Sequence, residues 1–294
     1  MTEEKSDITL ESNTPEGSSR AYALFYSFFL LPLSITILGV LFFLTFKFLT
    51  IESEDPYDYL NQIKVGSSTK RWQSAYELAR ILSNPSNFPE SENFSNQLML
   101  MYRKSIHDDP MVRTYLALSM GQSGKSLFGP TLMEGLKDEN SSSRLAAIKS
   151  LGNIKYLKSL NELESIALNS SDDMERLAAT ISIGSFIDQS SLSILKILLE
   201  DEEPNIRWDA AIGLAKLGDP SAKQVINQLL SRSYYSNFPQ VNDFEIEKAI
   251  LIAIKSSWLI RNNEFVGNLK ILSSEDPSMK VRDAAYKMIK KYKI

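Results

Sequence analysis

An arginine recurs along this chain at an almost constant interval, and this repeat restricts the fold more than any other sequence feature. Successive members of the set are separated by 31, 32 and 31 residues. A period of roughly 20 to 50 residues is typical of solenoids, in which each unit packs only on its neighbours. The four arginines are Arg113, Arg144, Arg176 and Arg207. Their spacing predicts a stack of similar units.

Each arginine lies near the start of a predicted helix. The residues three and seven positions after it are apolar, as Ala147 and Leu151 are after Arg144, and these positions share one face of a helix. Four residues before the arginine stands a residue such as Asp109 or Asp172, of a type that favours helix N-caps. A second apolar segment precedes each cap. Each unit is therefore predicted to be two helices, which bury their apolar faces by stacking.

The same frame extends in both directions. Arg71 is followed by Ser74, Ala75 and Leu78, and Arg282 by Ala285 and Ile289. In one degenerate unit Glu247 replaces the arginine. We therefore predict an all-α fold, with an α-solenoid of six or seven helix pairs over residues 63–294.

A strongly apolar run without charged residues precedes the repeats, at residues 21–46. At ~1.5 Å per residue it is long enough for the ~30 Å hydrocarbon layer of a membrane. A cleaved signal peptide is the alternative, but its apolar core is shorter, ~7–15 residues, and leads to a small-residue cleavage site. We predict a single transmembrane helix over residues 21–48, kinked at Pro32.

The flanking segments complete the predicted organisation. Residues 1–20 are acidic and rich in Ser, Thr, Pro and Gly, which predicts a disordered tail. Residues 49–62 are predicted to be a linker and the start of the first helix pair. Lysine and arginine are somewhat more frequent after the apolar run than before it. This bias predicts a single-pass protein of the inner membrane, with the solenoid on the cytoplasmic side.

The stretch SMGQSGKS, residues 119–126, ends like a phosphate-binding loop but lacks the rest of that motif. The motif requires a glycine five residues before Gly124, where this chain has Ser119, and it follows a strand. The preceding segment has helical periodicity instead. We predict a turn between two helices, with Gly121 ending the first of them.

Composition argues against several classes of function. The chain has no cysteine, which removes disulfides, thiol catalysis and cysteine metal sites. Its one histidine, His107, has no second histidine with which to form a metal site. Beyond the acidic tail the charge is near neutral, so the basic field required for nucleic-acid binding is missing. We predict no enzyme activity, metal, cofactor, nucleic acid or small-molecule substrate.

Three segments carry the repeat most clearly: DDPMVRTYLALSMG, EEPNIRWDAAIGLAKLGD and EDPSMKVRDAAYKMI. They resemble the HEAT-like repeats first noted in phycobilisome lyases, and the chain is similar to bacterial membrane-anchored HEAT-repeat proteins of unassigned role. This resemblance implies a structural ladder, in which each repeated arginine pairs with an acidic group of a neighbouring unit. The ladder residues so implied are Asp109, Arg113, Arg144, Asp172, Arg176, Arg207 and Arg282. The resemblance also implies an alternative function, a lyase-like or cofactor-handling activity.

The regular interval is broken by two insertions that share the letters SNFP. Insertions in a solenoid emerge on one face, which is often the binding face. The alternative is that both loops fold back onto the stack through their phenylalanines. The candidate partner-binding residues are Asn87, Phe88 and Pro89 in the first insertion, and Tyr234, Tyr235, Asn237, Phe238 and Pro239 in the second.

The last predicted helix is strongly basic. One interpretation is a polar cap that keeps the end of the solenoid soluble. The alternative is contact with anionic lipid headgroups. The candidate lipid-facing residues are Lys287, Lys290, Lys291 and Lys293.

The leading functional prediction is a non-enzymatic, membrane-tethered scaffold or adaptor. It binds a protein partner within a membrane complex such as a transporter, because a membrane anchor raises the effective concentration of partners in the same membrane. Deletion of residues 84–96 or 231–243 is expected to abolish partner binding if the insertions form the site.

Overall fold

The computed structural model describes residues 24–49 and 55–292. The chain divides into two units, and the second, compact unit begins at Asp55. Neither described range contains a β-strand. The prediction of an all-α repeat fold is confirmed, and the predicted tail, residues 1–20, lies outside the described residues.

The first unit contains one apolar helix, α1 (Leu31–Leu49), preceded by a π-helical turn at Tyr26–Leu30. Pro32 has no N–H to donate and its ring crowds the carbonyl four residues back, so the widened turn before it accommodates the proline. Residues 26–48 are long and apolar enough to span a membrane, and none of this segment is buried within the unit. A signal sequence near an N-terminus meets the same criteria of length and composition. Membrane anchoring therefore stays a prediction.

The second unit is a stack of seven antiparallel helix pairs, in agreement with the six or seven predicted. In each pair the second helix carries the repeated arginine, or Glu247 in the sixth pair. The pairs are α2 (Pro56–Val65) with α3 (Ser68–Leu82), α4 (Glu92–Lys104) with α5 (Pro110–Gln122), α6 (Gly129–Gly135) with α7 (Ser141–Asn153), α8 (Leu160–Asn169) with α9 (Asp173–Phe186), α10 (Leu192–Leu198) with α11 (Pro204–Lys216), α12 (Lys223–Leu229) with α13 (Asp243–Ile260), and α14 (Phe265–Glu275) with α15 (Met279–Tyr292).

The helices begin where capping residues place them. Asp55 accepts a hydrogen bond from the backbone N–H of Tyr57 at 2.9 Å, and Pro56 occupies the first position of α2, where its missing N–H costs nothing. The first pair therefore starts within the segment predicted to be mainly linker, residues 49–62. Asp109 and Asp172 cap α5 and α9 in the same way, as predicted.

The core runs along the stack of second helices. Each second helix packs on the second helices before and after it. The positions three and seven residues after the repeated position are buried from α3 to α13, as Ala147 and Leu151 are in α7 and Ala179 and Ile183 in α9. Burial of each large aliphatic side chain contributes about 1.5–3 kcal/mol. No helix pair could bury this stripe alone, which is why the units stack.

Small residues allow the second helices to approach closely. A Cβ atom added to Gly121 would lie 2.5 Å from the Oγ atom of Ser150, and one added to Gly152 would lie 2.5 Å from that of Ser182. The Ser182 hydroxyl donates to the Ile148 carbonyl of the previous repeat at 3.0 Å. The prediction that Gly121 ends its helix is wrong, because this glycine lies inside α5 and is required by close helix packing.

The stretch SMGQSGKS is a turn between two helices, as predicted. α5 ends at Gln122, and Gly124 adopts a left-handed conformation with φ of 65°. The ammonium group of Lys125 lies over the Phe88 ring, 4.6 Å from its centroid. This lysine therefore closes a turn against the preceding repeat.

Candidate functional site

The repeated arginines form part of the ladder that the resemblance implies. Four of them pair with a carboxylate of the next repeat: Arg71 with Asp108, Arg113 with Asp138, Arg144 with Glu175, and Arg176 with Asp201. Within the described residues, Arg207 and Arg282 donate to backbone carbonyls and form no such pair. Asp138 and Asp201 stand two residues before a helix cap. In the repeat where Ser170 occupies that place, Glu175 supplies the carboxylate and accepts a hydrogen bond from the Ser170 hydroxyl at 3.0 Å. These pairs join successive repeats.

The arginines also satisfy backbone carbonyls within their own repeat. The guanidinium donates to the carbonyls five and six residues before it, which lie in the turn between the two helices of the pair. This contact is made by Arg144, Arg207 and Arg282, at distances from 2.5 to 3.1 Å. The ladder is therefore structural, and a functional surface must lie elsewhere.

The two insertions lie at opposite edges of the stack, not on one face as expected. The first follows α3, a second helix, and the second follows α12, a first helix. The two helices of a pair run in opposite directions, so their C-terminal ends lie at opposite edges. The two SNFP segments therefore cannot form one binding surface.

The first insertion folds back onto the stack. Phe88 is only 7% exposed and packs edge-to-face on Phe94 and Phe128, with centroids 5.5 and 5.9 Å away. The side-chain amide of Asn87 donates to a backbone carbonyl of α3 at 3.1 Å, and the carbonyl of Pro89 accepts a hydrogen bond from the turn after α5. Phe88 is thus unavailable to a partner, and the alternative interpretation is confirmed for this insertion.

The second insertion folds back through an aromatic cluster. Tyr235 is 2% exposed, and its hydroxyl donates to the Leu229 carbonyl at 3.1 Å. Tyr234 and Phe238 pack edge-to-face on Trp208 of α11, with centroids 6.3 and 5.2 Å away. Asn237 and Pro239 are exposed. The burial of Tyr235 contradicts its role as a contact residue, whereas the remainder of this insertion borders a cavity.

Exposed or half-buried apolar side chains recur on successive second helices, five residues after the repeated position; Tyr76, Ile181 and Ile252 are exposed, and the other members are half-buried. This set, called the apolar row below, is interrupted by Lys149 on α7 and followed by Lys287 on α15. Its members are Tyr76, Leu118, Ile181, Ile212 and Ile252. Single exposed apolar residues are common on protein surfaces, but a set held in register across five of seven repeats forms an extended surface.

The apolar row leads into a cavity of about 450 Å³ between α11 and α13, called the α11–α13 cavity below. The second insertion closes one side of it. Its lining includes Trp208, Asp209 and Ile212 from α11, Gln240 and Val241 from the insertion, and Glu245, Lys248 and Ile252 from α13. Gly184 of α9 lies against Gly213 of α11, whereas the corresponding positions of α11 and α13 hold Ala215 and Ala253.

One carboxylate of this cavity departs from the residue type of its counterparts. The position two residues after the repeated position holds alanine in α7, α9, α13 and α15, but Asp209 in α11. The alanines of α7 and α9 are 3% exposed, whereas α3 and α5 hold Gln73 and Tyr115 there. Asp209 therefore places a charge where four of the seven repeats have a small apolar residue. Departures from a local rule of this kind are expected at functional sites.

The Asp209 carboxylate is desolvated and unpaired. Burial raises its pKa from the ordinary value of 3.8 to about 6, and the positive charge of Lys216 opposes only part of that change. Among the described residues, none forms a hydrogen bond or ion pair with this carboxylate. An uncompensated, partly buried charge costs stability, which favours a functional explanation.

The basic end of the solenoid is partly neutralised. Lys287 pairs with Asp283 at 2.7 Å, and the ammonium groups of Lys290 and Lys291 lie over the rings of Tyr286 and Trp258, at 4.5 and 4.3 Å. Lys293 lies outside the described residues. The exposed lysines are consistent with a polar cap, and lipid contact stays a prediction.

Sequence reasoning missed the Trp208–Asp209 pair. The signal that could have found Asp209 is the comparison of equivalent positions across repeats, because α7, α9, α13 and α15 hold alanine where α11 holds Asp209.

Comparison with known proteins supports the fold. Residues 98–184 and 160–237 match the family model described as HEAT repeats. A comparison with curated proteins finds no significant match.

Several solved structures are similar to this chain. The complex of CpcE and CpcF of phycocyanin lyase from Nostoc sp. PCC7120 is 14% identical with a TM-score of 0.52, over 81% of this chain and 94% of that chain. The Escherichia coli YibA protein is 14% identical with a TM-score of 0.49, over 80% and 92%. A designed armadillo repeat protein in complex with peptide (KR)4 is 14% identical with a TM-score of 0.37, over 82% and 100%. The first similarity establishes a shared fold and not a shared activity, so the lyase-like alternative stays a prediction.

Proposed function

We propose that this chain, in which residues 98–184 and 160–237 match the family model of HEAT repeats, is a non-enzymatic adaptor that binds a protein partner on its second helices and holds it at a membrane. Repeat solenoids present extended surfaces of this kind to partners. The single observation that supports the proposal is the apolar row, which continues into the α11–α13 cavity.

The apolar row explains why binding is proposed on the second helices rather than at the insertions. Ile181 and Ile252 are 47% and 43% exposed, although they lie on helices whose other faces are buried. Both insertions, by contrast, place their central aromatic residues against the stack. A partner with a complementary apolar surface would remove the row from water, at about 25 cal/mol for each Å² of apolar surface buried.

Site-specific photo-crosslinking tests the binding surface. A photoreactive amino acid is placed at Ile181 or Ile252 and, as a matched control, at Ile197 or Leu168 on first helices, which are 58% and 45% exposed. We expect one discrete protein adduct in native membranes from the row positions and none from the controls. The partner is then identified, purified and tested for weaker binding to the Ile181→Asp variant. Equal adducts at both sets of positions, or none at any position, would contradict the proposal.

The membrane part of the proposal needs separate tests. N-terminal sequencing of the mature protein distinguishes an anchor, which retains residues 21–48, from a signal that is removed. The chain has no cysteine, so a single cysteine introduced at the exposed Lys137 reports sidedness through a membrane-impermeant maleimide. We expect labelling only after the membrane is opened. Labelling in intact cells would show that the solenoid faces outward.

A further inference from the structure

This inference rests on the proposed function and identifies the chemistry of one contact. We propose that the α11–α13 cavity binds a single basic side chain of the partner, an arginine or a lysine, between the Trp208 ring and the Asp209 carboxylate. The inference specifies a ligand class that neither the fold nor the apolar row defines.

The repeat itself provides the comparison that supports this site. In α7 and α9 the two equivalent positions hold leucine and a buried alanine, which complete the core. The second of these positions holds alanine in α13 and α15 as well, whereas α11 holds Asp209, next to Trp208, at the edge of a cavity of about 450 Å³. Small-molecule sites in proteins have volumes of roughly 300–1,000 Å³. The replacement of alanine by a carboxylate and the cavity therefore coincide.

The other charged groups of the cavity are already engaged. The Lys248 ammonium lies over the Phe244 ring, 4.2 Å from its centroid, and so does not neutralise Asp209. Glu245 accepts a hydrogen bond from the backbone N–H of Asn242 at 3.1 Å, as part of the capping box that starts α13. Burial raises the pKa of Asp209 to about 6, and the positive charge of Lys216 offsets only part of that change. A cationic ligand would supply the remaining counter-charge.

The second insertion holds the indole in place. The Trp208 Nε1–H donates to the Tyr234 hydroxyl at 3.3 Å, and Phe238 packs on the ring edge-to-face at 5.2 Å. Tryptophan is the best aromatic platform for a cation, and a guanidinium group combines stacking on a ring with hydrogen bonds to a carboxylate. An anionic ligand would be repelled by the two carboxylates that line the cavity, Asp209 and Glu245. No group of three or more potential metal ligands occurs in the described residues.

Fluorine NMR of the full-length chain in neutral detergent tests the proposal. The protein is labelled with 5-fluorotryptophan, and its three tryptophans give separable resonances, of which Trp208 is assigned through the Trp208→Leu variant. The probes are N-acetyl-arginine N-methylamide and its neutral citrulline counterpart. We expect the arginine probe to shift the Trp208 resonance and to lower the pKa of Asp209, and the citrulline probe to do neither.

Matched variants decide the role of the carboxylate. Asp209→Ala introduces the residue that α7 and α9 hold at the equivalent position, so we expect it to preserve the fold, and it should weaken arginine binding at least about tenfold. Asp243→Asn removes an equal charge nearby, at an exposed position that does not line the cavity, and should leave binding unchanged. Equal binding of both probes, an unchanged affinity in Asp209→Ala, or no shift of Trp208 up to the solubility limit would each overturn the proposal.

The two proposals fail in different ways. If the crosslink at Ile181 persists in Asp209→Ala with undiminished yield and the arginine probe does not bind, the adaptor stands and the basic-side-chain site is wrong. If the arginine probe binds in a manner that depends on Asp209 while no crosslink forms at any row position, the cavity site stands and the adaptor function is wrong.

Discussion

Replacing Asp209 with asparagine is expected to stabilise the solenoid at neutral pH. The ionised carboxylate loses water in the folded protein and gains no partner among the described residues. Asparagine has nearly the same shape and no charge, so the substitution removes the cost of desolvating a charge without opening a cavity. If Asp209 served only to stabilise the fold, Asp209→Asn would destabilise the solenoid.

The magnitude follows from the folded pKa. The carboxyl has an ordinary pKa of 3.8 and a pKa of about 6 in the folded protein. Each tenfold change in proton affinity corresponds to about 1.4 kcal/mol, so the ionised group destabilises the folded state by about 3 kcal/mol. Burial of the polar asparagine amide also costs free energy, which offsets part of the stabilisation gained by removing the charge. The net stabilisation expected at pH 7 is therefore about 1–3 kcal/mol.

The sign of the pH dependence distinguishes this cause from others. The folded pKa of Asp209 is raised, so its favourable contribution is fully present below about pH 3.8, where the group is protonated in both states. That contribution is lost as the pH rises through about 6. The variant should therefore match the wild type near pH 4 and exceed it at pH 7.

Urea unfolding of the full-length protein in neutral detergent at both pH values measures the difference. Hydrogen exchange of α11 reports the same effect locally, because solenoids open in parts as well as globally. Asp243→Asn serves as the control and should change stability by less than about 0.5 kcal/mol at either pH. A destabilised Asp209→Asn protein, or an equal gain at pH 4 and pH 7, would refute a desolvated, unpaired carboxylate.

Two further predictions concern the stack. Gly152→Ala forces α7 and α9 apart and should lower the free energy of unfolding by about 1–3 kcal/mol. Gly267 has open space around it in α14, so Gly267→Ala should raise that free energy by about 0.5–1 kcal/mol. Thermal or urea unfolding measures both. Arg113→Ala leaves the nearly buried Asp138 carboxylate without its partner and should cost about 3–5 kcal/mol; Arg103→Ala, which breaks an exposed ion pair, should cost less than about 1 kcal/mol. A similar loss in both members of either comparison would contradict the assigned roles.

The positions of the repeats were predictable because each unit carries its own local sequence signals. An N-cap, sometimes followed by proline, fixes where each second helix starts, as Asp109 and Asp172 do, and the arginine then falls at a constant distance. The buried stripe follows from helical periodicity alone. The pairing of each arginine with the next repeat came from family resemblance and not from the spacing.

The remaining features depend on contacts between repeats, which one unit cannot reveal. Gly121 has the sequence context of a helix end, yet its function is to admit Ser150 of the next helix. The insertions share four letters, but their places in the helix pairs put them at opposite edges. Asp209 becomes informative only by comparison with the alanine that α7, α9, α13 and α15 hold at the equivalent position.

The sixth repeat shows how the second insertion is joined to the ladder. Glu247 replaces the arginine and accepts hydrogen bonds from the Ser278 hydroxyl at 2.6 Å and the Lys280 ammonium at 3.0 Å, so the charges of this rung are reversed. Arg232, within the insertion, pairs at 2.7 Å with Asp276, whose side chain is fully buried. Deletion of residues 231–243 would leave that carboxylate unpaired, and the loss of binding it caused would reflect unfolding. Point substitutions at the cavity are therefore the sound test of function in this repeat.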